Sequence, residues 1–368
     1  MTTGADMPTD DATASEHLLD LDVGALGDHL AALDDKPFRA KQILEWVYQH
    51  GAGTFDEMTN LSKPLRQRLS DRFDVYASRI VRRSASKDGT VKLLLQWPDG
   101  ATSECVMIPT ERRRTACISS QVGCPMGCRF CASGLGGLQR NLTTGEIIEQ
   151  VLRVSAEART ADGRLSNVVL MGLGEPLANY DAVMRAVRVL NAPWGPNIGA
   201  RKITISTVGL INQIHRLADE GLQLNLAVSL HAPTDGLRQE LIPPAEEMPL
   251  SKLAAACKLY FEQTGREITV EYLLLDGVND RRTHAAQLVR FTKQFRCNVN
   301  LIRYNPVEGL PYGRPSSEAT DAFKRCLQGD GVNAHVRTSR GLDIDAACGQ
   351  LRRRESQAGT DVGPMSGA

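Results

Sequence analysis

The sequence predicts an α/β fold: a parallel sheet with helices packed outside it, preceded by a small helical module and a short β-extension. Three observations carry that reading. From residue 116 onward, apolar β-like runs at 117–120, 168–171, 202–206, 224–230, 268–275, 299–304 and 334–338 alternate with helical stretches. Upstream, residues 17–75 place apolar side chains at helical intervals. Between these regions, residues 76–110 switch to a β pattern broken by turn signals.

In chain order, residues 1–16 are Thr-, Ala- and Asp-rich, with neither a basic leader nor an apolar core, and read as a disordered tail. In the helical module, Leu18, Leu21, Val23, Leu26 and Leu30 suggest one helix, residues 38–48 a second, and Ser62-Lys63-Pro64 starts a third, with Pro64 in its first turn. In the β-extension, Lys87-Asp88-Gly89 and Pro98-Asp99-Gly100 flank a strand at 91–97. On the next strand, alternation sends Glu104, Val106 and Ile108 to one face and Cys105 and Met107 to the other. The βα series fills residues 111–350, with helices expected at 144–157, 180–190, 210–220, 252–263, 282–295 and 317–327. Residues 351–368 are basic, then Gly- and Ser-rich, and read as a flexible tail.

Composition narrows the function classes. The chain has 368 residues, 42% hydrophobic, and no apolar run near the ~20 residues of a membrane span. Nine cysteines, an odd number, suit a reducing cytoplasm and metal or redox chemistry better than a disulfide framework. The net charge of zero conceals an asymmetry. Residues 1–35 hold nine acids and no Lys or Arg, which leaves 43 bases against 34 acids in the remainder. Basic clusters at Arg79, Arg82 and Arg83, at Arg112-Arg113-Arg114 and at Arg352-Arg353-Arg354 suit a polyanion such as RNA, or a solvated charged surface.

The chemistry concentrates at Cys124-Pro125-Met126-Gly127-Cys128-Arg129-Phe130-Cys131, three thiols spaced C-x3-C-x2-C. Such a loop can turn its sulfurs toward one centre, an iron–sulfur cluster or a zinc knuckle. In repeated βα folds the site lies at the C-terminal strand ends. The thiol loop follows the first strand of the series and so falls there. Gly172-Leu173-Gly174-Glu175-Pro176, Ser206, Ser229-Leu230-His231 and Tyr304-Asn305-Pro306 end later strands. Glu175 could receive an ammonium group.

Ser119-Ser120-Gln121-Val122-Gly123, the thiol loop, Gly172–Pro176, Ser206-Thr207-Val208-Gly209, Ser229-Leu230-His231, Arg303-Tyr304-Asn305-Pro306 and Ala347-Cys348-Gly349-Gln350-Leu351 occur in that order. Together they resemble the dual-specificity RNA methyltransferases of the radical S-adenosylmethionine (SAM) class, over about residues 17–351. Cys105 departs from that pattern, which has a small hydroxyl residue after Glu104. The resemblance implies an incomplete (βα)6-type barrel, with the helical module serving RNA recognition. It implies a [4Fe-4S] cluster on Cys124, Cys128 and Cys131, and a SAM pocket lined by Gly174, Glu175, Ser206, Ser229, Leu230, His231 and Asn305. The implied reaction is methylation of C2 of an adenine in large-subunit ribosomal RNA and in certain tRNAs. It uses SAM twice per turnover and draws on a small electron donor of the flavodoxin type.

That chemistry explains the thiols. Adenine C2 is electron-poor and cannot attack a SAM methyl group, so the resemblance implies a methyl carried on Cys348 and converted to a radical that adds to C2. It further makes Glu104 the proton acceptor and Cys117 the thiol that frees the product, leaving a disulfide. On the residues alone, Cys117 reads equally as a buried strand cysteine or a fourth metal ligand, and Glu104 as a surface carboxylate. Cys105, Cys257, Cys297 and Cys326 read as packing residues. Two alternatives stay open: a C8-methylating relative that confers antibiotic resistance, and a zinc-stabilised RNA-binding protein.

Overall fold

The structure, a computed structural model, describes residues 15–161 and 163–351. Most of both expected tails, and the Arg352-Arg353-Arg354 cluster, lie outside the described residues. The chain forms two compact units, divided between Ala77 and Ser78.

The first unit carries β1 (Glu16–His17), α1 (Val23–Ala32), α2 (Arg39–Glu45), α3 (Lys63–Ser70) and β2 (Phe73–Asp74), with β1 and β2 paired in parallel. Leu26, Leu30, Ile43, Leu44, Leu65, Leu69 and Phe73 form its buried core. Leu18 and Leu21 do not belong to α1 as the periodicity suggests. Asp22 accepts a hydrogen bond from Ala25 N at 2.8 Å and starts the helix there, so Leu18–Asp20 forms a separate 3-10 turn. The expected helix at 38–48 divides into α2 and a π-helical turn at Trp46–His50.

The second unit is built on one ten-stranded sheet. Its antiparallel part is β3 (Arg79–Ala85), β4 (Val91–Gln96) and β5 (Thr102–Pro109), joined to β6 (Arg114–Cys117). A short antiparallel pair, β7 (Gln121–Gly123) and β8 (Leu138–Asn141), stands apart from that sheet. The βα series then runs α4 (Thr144–Thr160), β9 (Asn167–Leu170), α5 (Tyr180–Asn191), β10 (Ile203–Thr207), α6 (Ile211–Asp219), β11 (Asn225–Ser229), α7 (Asp235–Leu241), α8 (Leu250–Thr264), β12 (Ile268–Leu274), α9 (Arg282–Thr292), β13 (Cys297–Arg303), α10 (Ser317–Gly329) and β14 (Ala334–Arg337). Strands β6 and β9–β14 are parallel and adjacent in chain order, so six βα units and a last strand make an incomplete (βα)6 barrel.

The first barrel strand ends earlier than the sequence suggests, at Cys117 instead of residue 120. Side chains there take over from the ladder. Ser119 N donates to Gln150 Oε1 at 2.8 Å and Gln150 Nε2 donates to Ser119 O at 3.0 Å, which lets the chain leave the sheet toward β7.

Candidate active site

Strands β7 and β8 close the base of the thiol loop. Asn179 Nδ2 donates to both Ser120 O and Leu142 O at 2.8 Å, and so joins the loop's two ends. Gln121 donates to Asn141 Oδ1 and accepts from Glu175 N, each at 2.8 Å, which ties the loop to the segment after β9. That segment passes so close that a Cβ on Gly174 (φ +101°) would lie 2.6 Å from Gln121 Cβ, so only glycine fits.

Cys124, Cys128 and Cys131 line one cavity with Gly174, Glu175, Ser206, Ser229 and His231, around about 940 Å³ of open space. The three sulfurs pack against a buried cluster that includes Met126, Phe130, Val208 and Leu275. Burial pushes Cys124 up to about 12 and raises Cys128 and Cys131 as well, so bare thiolates there need a cationic partner. Backbone N–H groups oppose that rise, those of Met126 and Gly174 at Cys124 and those of Ser133 and Gly134 at Cys131. Amides aimed at thiolate sulfur suit an iron–sulfur cluster. Among the described residues, no three His, Cys, Asp or Glu side chains are grouped to hold a single metal ion. The three thiolates, each able to bind a separate iron, fit an iron–sulfur cluster.

The rest of this cavity is electrostatically specific. Glu175 is buried, and its carboxylate accepts from Val208 N at 2.8 Å and Leu177 N at 3.1 Å. Burial still raises it to about 7. His231 has a left-handed backbone (φ +57°), held by Asn279 Nδ2, which donates to His231 O at 2.8 Å. Its Nδ1 accepts from Leu273 N at 3.0 Å, which leaves Nε2 as the protonated nitrogen. Burial and then the charge of Arg238 lower His231 to about 3, so the ring is neutral at working pH. Arg238 is itself fully buried, donates to Val208 O and Met248 O, and is lowered by burial to about 10. It therefore keeps a positive charge beside Cys128.

A second cavity holds Cys117 and Cys348 with Asn305, Arg337, Ser339 and Leu351. Met171, Ile302, Arg337 and Cys348 line both cavities, so the two adjoin at Cys348. Burial and then Cys348 push Cys117 up to about 12, while Arg337 pulls it down. Arg337 is held charged, first by Cys348 and also by Glu271 and Cys117. No disulfide joins Cys117 and Cys348.

Leu230, Asn305 and Glu104 are not among the residues that line the first cavity. Leu230 is fully buried just past the end of β11, and its backbone N–H donates to Glu271 O at 3.0 Å. Asn305 lines the second cavity, where its Nδ2 donates to Cys348 O at 3.1 Å and its Oδ1 accepts from Ser339 at 2.7 Å. Glu104 is buried, not a surface carboxylate, and pairs with Lys92 at 3.0 Å in a separate recess lined also by Asp343, Ile344 and Asp345. The reading of the sequence missed Arg238, Glu271 and Arg337.

Residues 16–75 match the family described as the ribosomal RNA large subunit methyltransferase N-terminal domain, and residues 118–289 match the Radical SAM superfamily. A probable dual-specificity RNA methyltransferase RlmN of Geobacillus kaustophilus is 46% identical over 340 residues, 92% of this chain and 93% of that protein. The chain belongs to the RlmN family. The RlmN protein of Thermosynechococcus vestitus is 50% identical over 318 residues, 86% of this chain and 93% of its own length. The crystal structure of a radical SAM methyltransferase from Sphaerobacter thermophilus superposes with a TM-score of 0.90 at 47% identity, covering 91% of this chain and 99% of the other. Like other RlmN proteins, the chain is a radical-SAM RNA methyltransferase, an activity that implies a [4Fe-4S] cluster and SAM. No helix among the described residues is long and apolar enough to cross a membrane.

Proposed function

We propose that this enzyme methylates C2 of a specific adenine in 23S ribosomal RNA and of an adenine in certain tRNAs, through a methyl group carried on Cys348. One observation carries the mechanism: Cys348 faces both the cavity of the three-cysteine loop and the cavity of Cys117. A carrier thiol must be methylated and activated at one site and resolved at another, and a residue at their junction can do both.

When bound on Cys124, Cys128 and Cys131 and in the first cavity, the cluster and two SAM molecules per turnover supply a methyl group and the means to abstract hydrogen from it. The chain's own residues do the rest. Glu175 receives the ammonium end of SAM, while Ser206, Ser229 and His231 border the nucleoside end. Arg337, which lines the same two cavities, presents its guanidinium beside Cys348. Cys117, a buried thiol, attacks the Cys348 sulfur after the carbon–carbon bond has formed and frees the product. Glu104 is the proton acceptor. The 343–348 segment borders both its recess and the second cavity, so that segment must shift to admit the base. The first unit, and exposed Arg79, Arg82 and Arg83 on strand β3, engage RNA phosphates. The reductant is a small flavodoxin-type protein, and the setting is the cytoplasm.

The test uses two variants. Cys117→Ala should still take up methyl and cleave SAM, then stall covalently joined to RNA. Cys348→Ala should show neither methyl uptake nor adduct. A denaturing gel with labelled RNA, followed by peptide mass spectrometry, reads both. Normal turnover by Cys117→Ala without adduct would make Cys117 structural and end the two-thiol mechanism.

A further inference from the structure

A polar row crosses the inner face of the sheet below the thiol loop. Ser229, Glu271 and Asn300 are in register across β11, β12 and β13, so their side chains leave one face together. Ser206 Oγ on β10 lies 3.3 Å from Ser229 Oγ and continues the row. Glu271 is only 4% exposed, yet it lines the first cavity with Ser206, Ser229 and Arg337. Its Oε1 accepts from Asn300 Nδ2 at 3.1 Å. Its Oε2 is buried and has no hydrogen-bond partner among the described residues.

An unsatisfied buried oxygen is costly, more so when charged, so a fold that keeps one beside a ligand cavity is disposed to receive a donor from that ligand. The neighbouring charge decides what kind. Burial raises Glu271, while Arg337 and then Asn300 pull it down, so the guanidinium already acts as the carboxylate's counter-ion. A cationic donor would meet that guanidinium at short range. A neutral hydroxyl or amine would not, and carboxylates of other nucleotide sites accept ribose hydroxyls in this way.

We infer that Glu271 Oε2 accepts a hydrogen bond from an uncharged donor of the adenosyl group in this cavity, a ribose hydroxyl or the 6-amino group. The inference rests on the reading of the first cavity as the SAM site. It makes Glu271 a nucleoside-binding residue alongside Ser206 and Ser229.

The test is calorimetric binding of S-adenosylhomocysteine to the reconstituted protein, together with analogues lacking the 2′-hydroxyl, the 3′-hydroxyl or the 6-amino group. The parent protein should bind one analogue about tenfold more weakly or worse, as expected for a lost bond to a charged group. Glu271→Gln should bind S-adenosylhomocysteine about tenfold more weakly and no longer discriminate against that same analogue. The identity of the analogue assigns the donor as hydroxyl or amine. The series on the parent needs no variant, so a Glu271→Gln protein that fails to fold leaves the test intact. Equal binding of all analogues by the parent, or discrimination retained by Glu271→Gln, overturns the inference and leaves the cavity assignment standing. A parent that binds no S-adenosylhomocysteine overturns both.

Discussion

Replacing Gly123 with alanine should open the thiol loop, whereas the same change at Gly127 should not. Gly123 precedes Cys124 and has φ +80°, and a Cβ there would lie 2.0 Å from Gly137 O. That oxygen is backbone, and it accepts the Cys124 amide at 3.1 Å, so relief requires the two chains to part. The left-handed conformation costs a side chain roughly 1–2 kcal/mol. Loss of the Cys124–Gly137 hydrogen bond adds about 1 kcal/mol. Together these give about 2–3 kcal/mol, roughly a thirty- to hundredfold shift toward the opened loop. Gly127 also has positive φ (+59°), but nothing lies within 4 Å of its Cβ position, so Gly127→Ala incurs only the backbone cost. Iron and sulfide per chain after anaerobic reconstitution, with thermal unfolding as a control, separates the two. The expected result is strong loss of iron in Gly123→Ala and near-parental iron in Gly127→Ala. Equal, full iron content in both would refute the claim that this crossing holds the loop.

Two further outcomes follow from buried charges. Glu175 moves from 4.5 to about 7 on folding, so the folded state binds the extra proton. Stability should fall as pH rises between those values and level off above, by roughly 3 kcal/mol from this group; denaturant titrations of Glu175→Gln should lack that slope relative to the parent, and parallel pH profiles would contradict it. Lys92→Met removes the ammonium that faces buried Glu104 at 3.0 Å and donates to Asp345 O at 2.8 Å. It should destabilise by about 3–5 kcal/mol, visible as a lower unfolding midpoint, and an unchanged midpoint would show that the pair does not hold this recess.

The βα series was legible because its helices are long and strongly periodic. The helix at α7 was not: Asp235–Leu241 is only seven residues, begun by Thr234, whose side chain accepts from Leu237 N. The end of β6 was misplaced because Ile118 and Ser119 look like strand residues, while Gln150, distant in sequence, satisfies the Ser119 backbone. The three loop cysteines were found by spacing alone. Leu230 lies just past the end of β11, where strand alternation no longer fixes a direction, and Asn305's place beside Cys348 depends on how the 341–350 loop folds back. Glu271 did leave a signal: a carboxylate inside the apolar run of β12, a strand whose residues are nearly all buried, calls for a specific partner. Arg238 and Arg337 left none, since one arginine in a short helix and one at a strand end are ordinary surface residues until the chain is folded.

The central claim is that this enzyme places a methyl group on C2 of adenine, with Cys348 as carrier. Mass spectrometry of nucleosides from ribosomal RNA and tRNA, each treated anaerobically with the reconstituted protein, SAM and a reductant, tests it most directly. The expected result is 2-methyladenosine in both RNAs, and none with Cys348→Ala. The appearance of 8-methyladenosine instead, or of 2-methyladenosine with Cys348→Ala, would contradict it.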